Sequence, residues 1–269
     1  MTEWSGGSFG ERARCVLAPN PNIMTLDGTN TWVLREPGAR RCVVVDPGPE
    51  ITGHLDTVAQ LADEVSVVLL THGHLDHSES ARTFAERMGC GVRALDPQQR
   101  LGSEGLGDGD VVSVDGLEVR VVGTPGHTSD SLSFVLPAER AVLTGDTVLG
   151  RGTPVVAHPD GQLGAYLDSL HRLRGLAEAQ DVFAVWPGHG PVIDDALGVL
   201  DYYLAHRKER LEQVREALRE LERQPTPEGL ATDELPRLVV EMVYADVDPV
   251  LWGAAELSVR AQLAYLHSR

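Results

Sequence analysis

Short apolar runs, each closed by glycine, proline or small polar residues, pattern residues 1–198, and a different texture follows. The runs Arg14–Leu17, Thr31–Leu34, Cys42–Asp46 and Val65–Leu70 have the length and β-branched content of strands. So do Val111–Val114, Glu118–Val122, Ser131–Val135, Ala141–Thr144 and Val182–Val185. Turn signals at Asp108-Gly109-Asp110 and Asp115-Gly116 separate the short strands among them. Apolar residues at helical spacing predict helices over Leu55–Asp63, Ser78–Met88 and Gly164–Leu176. Near Ile193 the alternation stops. A charged amphipathic helix is expected from Leu200 to Leu221, then the breaker Gln224-Pro225-Thr226-Pro227, then helices at about Thr232–Tyr244 and Pro249–His267. The expected organisation is a domain over 1–198 and a small all-helical domain over 199–269.

Candidate chemistry lies where the strand patterns end. Thr71-His72-Gly73-His74-Leu75-Asp76-His77 follows the run Val65–Leu70 and holds three imidazoles and a carboxylate. His72 and His74 are two apart at a strand end, so their rings can point the same way. Asp76 and His77 follow in a loop and can turn to a second point. Imidazole nitrogen and carboxylate oxygen are zinc ligands, whereas structural zinc sites favour cysteine. Further pieces stand at later strand ends: Pro125-Gly126-His127, Gly145-Asp146 and Trp186-Pro187-Gly188-His189-Gly190. Each alone is an ordinary turn. Together they provide five histidines and two aspartates, enough for two metals with shared ligation.

Composition narrows the setting. Hydrophobic residues are 42% and charged residues 23%, ordinary values for a globular chain of 269 residues. No run of eighteen apolar residues occurs, and Met1–Ser5 has neither a basic nor an apolar leader, so neither membrane spanning nor standard secretion is expected. Three widely spaced cysteines, Cys15, Cys42 and Cys90, fit a reduced cytoplasmic protein, with Cys42 a small core residue. A formal charge of −17 disfavours a phosphate backbone as partner.

The order His-x-His-x-Asp-His, Pro-Gly-His, Gly-Asp, Pro-Gly-His-Gly resembles the metallo-β-lactamase-fold hydrolase superfamily. Met24–Trp32 and Gly150–Asp160 resemble its β-lactamase-like protein 2 branch, which is similar to the glyoxalase II hydrolases. The helical tail resembles the winged-helix-like end of that branch, without a β-hairpin wing, and is expected to pack as a cap. The resemblance implies an α/β fold, an αβ/βα sandwich with metals at one edge of two facing sheets. It implies a first metal on His72, His74 and His127, a second on Asp76, His77 and His189, and Asp146 bridging them. Two Zn²⁺ are expected, with iron and manganese left open. In such a site two metals about 3.5–4 Å apart hold a bridging water whose pKa falls from that of bulk water toward about 7. Asp76 and Asp146 therefore count as catalytic, Asp76 as a ligand rather than a free base. Asp46, at a strand end, is expected to orient a ligating imidazole. Asn30, His158 and Tyr166 are candidate substrate contacts. His54, His171, His206 and His267 lack a partner motif and are expected to be solvated.

The leading function is a zinc-dependent hydrolase of thioesters or esters, similar to hydroxyacylglutathione hydrolases and to thioesterases that release polyketide chains. Its partner would be a small-molecule or acyl-carrier thioester. An endoribonuclease is the alternative the branch allows. A third is a one-iron persulfide dioxygenase, since that relative shares the His-x-His-x-Asp-His string.

Overall fold

A computed structural model describes residues 4–179, 181–223 and 234–268. The first sheet has six strands in sequence order: β1 (Gly7–Phe9), β2 (Ala13–Leu17), β3 (Asn30–Leu34), β4 (Arg41–Val45), β5 (Glu64–Leu69) and β6 (Gly91–Arg93). Its first three pairings are antiparallel, and β4–β5 and β5–β6 are parallel. The parallel pairs need crossovers. Helix α1 (Thr52–Ala62) makes the first, and α2 (Leu75–Ser78) with α3 (Ala81–Met88) makes the second.

The second sheet is formed by β7 (Val111–Val114), β8 (Leu117–Gly123), β9 (Leu132–Leu136), β10 (Ala141–Gly145) and β11 (Ala184–Pro187). Its order is β11-β10-β9-β8-β7, antiparallel except for β10–β11, which α4 (Leu163–Glu178) connects. The tail consists of α5 (Ala196–Arg223), α6 (Leu235–Val243) and α7 (Trp252–His267).

Strand periodicity explains the layering. Within β4, Val43 and Val45 face the other sheet, while Cys42 and Val44 face α1 and α3. A strand buried on both faces must be apolar throughout, which is why its pattern reads as a run and not an alternation. Between the sheets Trp32 of β3 stacks on Trp186 of β11, ring centroids 5.2 Å apart and 10° from parallel. On the far side of the second sheet, Val142 and Val185 pack against Leu170 of α4 and Leu200 and Tyr203 of α5. The result is the expected αβ/βα sandwich with helices beyond it.

Several expected bounds shift. The helix expected from Ser78 is two helices, a single turn at Leu75–Ser78 and α3 from Ala81. The short strands β1 and β6 had no period-2 pattern to mark them. Helix α5 starts at Ala196, so the expected boundary at 198/199 falls in its first turn. The breaker Gln224–Pro227 and the expected helix start at Thr232 lie outside the described residues.

Candidate metal centre

Five strands end at one edge of the sandwich and each delivers a polar group there. Thr71 and His72 follow β5, Asp46 follows β4, and His127 follows β8 by way of Thr124-Pro125-Gly126. Asp146 directly follows β10, and His189 follows β11 after Gly188. Space at this edge is tight. A Cβ on Gly188 would stand 2.7 Å from both Asp146 Oδ1 and His77 Cε1, so only glycine lets the β11 turn pass so close. Gly126, at φ +135°, lies against the Tyr166 backbone at 2.3 Å from an added Cβ.

The side chains form two adjoining groups, His72, His74, His127 and Asp146, and Asp76, His77 and His189. In the first, His74 Nδ1 lies 3.0 Å from His72 Nε2 and 3.2 Å from His127 Nε2. In the second, His189 Nε2 is 3.2 Å from His77 Nε2 and 3.1 Å from Asp76 Oδ2. Asp146 lies between them, Oδ1 3.4 Å from His77 Nε2 and Oδ2 3.4 Å from His189 Nε2 and 3.7 Å from His127 Nε2.

Outward-facing nitrogens are held by acceptors. His127 Nδ1 donates to the Val155 carbonyl at 2.8 Å and His189 Nδ1 to that of Gly28 at 3.1 Å. His77 Nδ1 donates to Asp46 Oδ2 at 2.8 Å. Asp46 Oδ2 also accepts the Thr71 hydroxyl at 2.6 Å, which leaves that oxygen to accept from His72 Nδ1 at 3.0 Å. With protons fixed outward, the Nε2 atoms of these four rings present lone pairs to the centre. Bare lone pairs this close repel unless a cation lies among them. The donor chemistry fits two divalent ions.

Electrostatics point the same way. Burial pushes His72 and His127 below the usual imidazole range. Burial also opposes charge on His77 and His189, but Asp146 with Asp46 or Asp76 outweighs it, lifting His77 well above its usual value and His189 to about 9. Asp146 is held well below the carboxylate range because His189 and His77 outweigh its burial. Metal-free, the cluster retains protons that metal ligation would displace.

A family model described as the metallo-beta-lactamase superfamily matches residues 24–189. The chain belongs to that superfamily. It is a metal-dependent hydrolase by this membership. The chain is 37% identical over 225 residues to an atrochrysone carboxyl ACP thioesterase of Aspergillus fumigatus, spanning 80% of this chain and 67% of that protein. It is 30% identical over 275 residues to the beta-lactamase-like protein 2 homolog of Drosophila melanogaster, spanning 93% and 86%. Among solved structures, a beta-lactamase domain protein from Burkholderia ambifaria superposes with a TM-score of 0.78 at 22% identity, covering 98% of this chain and 88% of that one. That last likeness is one of metallo-beta-lactamase fold.

The metallo-beta-lactamase centre opens into a cavity of about 520 Å³ that reaches from His74, Asp146 and His189 to the tail helices. Met24, Leu26, Leu149 and Pro154 wall one side, and residues of α5 and α7 close the other. Three expected substrate contacts are not on this wall. Asn30 is fully buried, its amide donating to the carbonyls of Pro187 and Gly190 at 2.9 Å each, which ties β3 to the His189 turn. Tyr166 is core, its hydroxyl donating to the Thr147 carbonyl at 2.7 Å. His158 is exposed, and its backbone N–H meets the Leu257 carbonyl at 3.4 Å. Asp46 stands against His77, as described above.

Two histidines expected to be solvated are not. His54 is buried, its Nε2 2.9 Å from Thr31 Oγ1. His206 lines the cavity. Sequence reasoning also passed over Thr71 and Arg207. Thr71 had a signal, a hydroxyl beside the first ligand. Arg207 had another: it interrupts the apolar stripe Leu200, Tyr203, Leu211, Val214 of α5 at helical spacing.

Proposed function

We propose that this protein is a dinuclear zinc hydrolase acting on thioesters, with a small-molecule or carrier-bound acyl group as substrate. The observation that carries the reading is the pair of adjoining ligand groups opening into a largely apolar cavity, the combination an acyl thioester needs. Likeness to a protein named as an ACP thioesterase supports the substrate class. In this reading His72, His74 and His127 hold one ion, Asp76, His77 and His189 the other, and Asp146 serves both.

Two bound divalent ions supply Lewis acidity and a water acidified toward a pKa of about 7. The chain's own residues do the rest. Asp46 and Thr71 lock His77 and His72 in the tautomer with Nε2 inward, and the Val155 and Gly28 carbonyls do so for His127 and His189. Residues 199–269 act as a cap domain that keeps bulk water from the acyl end and sets the reach of the cavity. The apolar wall holds the acyl chain so that its carbonyl sits over the exposed ligand His74 and the half-buried Asp76.

The test is hydrolysis of a varied thioester panel by zinc-loaded protein, read as released thiol, together with elemental analysis. About two zincs per chain and thiol release abolished by His74→Ala are expected, His74 being an exposed ligand whose loss disturbs the core least. No turnover of any thioester by loaded protein sinks the proposal. RNA cleavage with the same His74 dependence would replace it with the ribonuclease reading.

A further inference from the structure

The cap side of the cavity carries positive charge that the hydrolytic centre does not use. On one turn of α5, His206, Arg207 and Arg210 all line it. Arg207 is only 6% exposed. Its Nη2 donates to the Pro154 carbonyl at 2.6 Å, and its guanidinium lies over the Tyr166 ring, 4.9 Å from the centroid. Its Nε is buried with no hydrogen-bond partner, and among the described residues no carboxylate lies within ion-pair distance. Buried His206 Nδ1 is likewise unpartnered. Arg210 spends one nitrogen on the Val243 carbonyl at 2.9 Å and stacks on Tyr244 at 4.5 Å. Arg151, on the same wall, already has Asp27 at 2.6 Å.

A buried guanidinium without a counter-charge is costly, and chains of this acidity have ample carboxylates to supply one. Here none is supplied. Asp76 and Asp146 share the cavity, but both are engaged by His77 and His189 and would be offset by bound cations. The position is also close to the chemistry. Pro154, which Arg207 holds, precedes Val155, whose carbonyl fixes His127.

We propose that Arg207, with His206 and Arg210, forms an anion subsite at the cap end of the cavity, which selects substrates bearing a carboxylate or phosphate distal to the scissile thioester. The inference rests on the thioesterase reading and adds the charge of the substrate to it. A planar guanidinium with a free N–H edge suits an oxyanion better than an ammonium would. The arrangement also explains why a polar side chain occupies the buried stripe of α5.

The experiment compares kcat and KM for glutaryl and pentanoyl thioesters of N-acetylcysteamine, which differ in one distal carboxylate. A second arm compares pentanoyl thioesters of pantetheine and of phosphopantetheine, which differ in a phosphate. Wild-type protein is expected to prefer the anionic member of one pair, and the arm that shows the preference identifies the source of the anion. Arg207→Met is expected to cut that preference about tenfold or more, through KM. Arg207→Lys, which keeps the charge, should retain part of it. Arg210→Met should act in the same direction and serves if Arg207→Met does not fold. A wild-type preference below about twofold in both arms overturns the inference. So does an equal loss on charged and neutral substrates, which would make Arg207 a support for the His127 loop only. If no thioester is turned over, the functional reading fails by itself. The subsite is then judged by calorimetric titration of glutarate and inorganic phosphate into metal-loaded wild type and Arg207→Met, where equal affinities overturn it and weakened binding in the variant sustains it.

Discussion

Replacing Asp46 by asparagine changes one atom and tests how the protein holds its ligands. Asp46 is 2% exposed and adopts φ +50°, a conformation asparagine tolerates as well as aspartate. Its carboxylate accepts three hydrogen bonds: the Thr71 N–H on Oδ1 at 2.8 Å, and the Thr71 hydroxyl and His77 Nδ1 on Oδ2 at 2.6 and 2.8 Å. An amide has one acceptor. If its oxygen keeps the Thr71 N–H, its NH₂ faces the hydroxyl and the imidazole as a donor. His77 then relieves the donor–donor clash by moving its proton to Nε2, the atom that faces the centre. A protonated Nε2 cannot ligate. Loss of such a supporting contact costs about 10–100-fold in metal affinity, or about 1.4–2.7 kcal/mol. The assay is zinc competition against a chromogenic chelator at neutral pH, with the Asp46→Asn protein shown to be folded. Zinc affinity within about twofold of wild type would refute the reasoning and leave Asp46 as an anchor for Thr71 alone.

Gly188→Ala is expected to remove metal binding with little effect on folding, because the added methyl displaces Asp146 and His77 rather than core; elemental analysis showing full metal content would refute this. In chelator-treated protein the raised pKa of His189 makes its proton a stabilising ligand, fully effective below about 6.5 and lost as pH climbs through about 9. The melting temperature of the metal-free protein should therefore fall between pH 6.5 and 9, by scanning calorimetry, and a rise across that window would contradict the charge assignment. Tyr203→Phe removes the acceptor of the buried Leu149 N–H and the donor to the Gly152 carbonyl, both at 2.9 Å. It should destabilise the protein by about 1–3 kcal/mol and raise KM by loosening the cavity wall, with chemical denaturation and kinetics as the readouts.

What the chain's pattern revealed was local. The runs that became β4, β5 and β10 are buried on both faces or end in a ligand, so their apolar texture and polar terminus sit together in sequence. The seven ligand candidates stand just past the ends of β5, β8, β10 and β11, and the fold brings all seven to one edge. The substrate contacts were harder because they depend on distance in space. Asn30 looked like a site residue from its turn, yet its amide is consumed by carbonyls 157 and 160 residues away. Tyr166 opens a helix after a site loop, but its face of α4 turns to the core. Conversely, Arg207 lies 131 residues past Asp76 and reaches the same cavity only because α5 packs back across α4. The edge strands β1 and β6 are three residues each, too short to establish a period, and exist through their pairing partners.

Helix α5 belongs to two cores at once. Leu200, Tyr203 and Leu211 lie in the cluster beneath α4, and Val214 and Ala217 in the cluster formed with α6 and α7. At 28 residues it is a rod about 42 Å long with no break at the junction of the two units. A tail joined this way has no hinge within Ala196–Arg223, so the stretch of cavity wall that α5 supplies moves with the catalytic core. Along the part of the wall that α5 supplies, differently sized substrates are then met by rotamer changes, on the picosecond-to-nanosecond scale, and not by the slower swing of this helix as a lid. Altering what this wall admits is therefore a matter of resculpting individual side chains, since the same rod is packed into both cores.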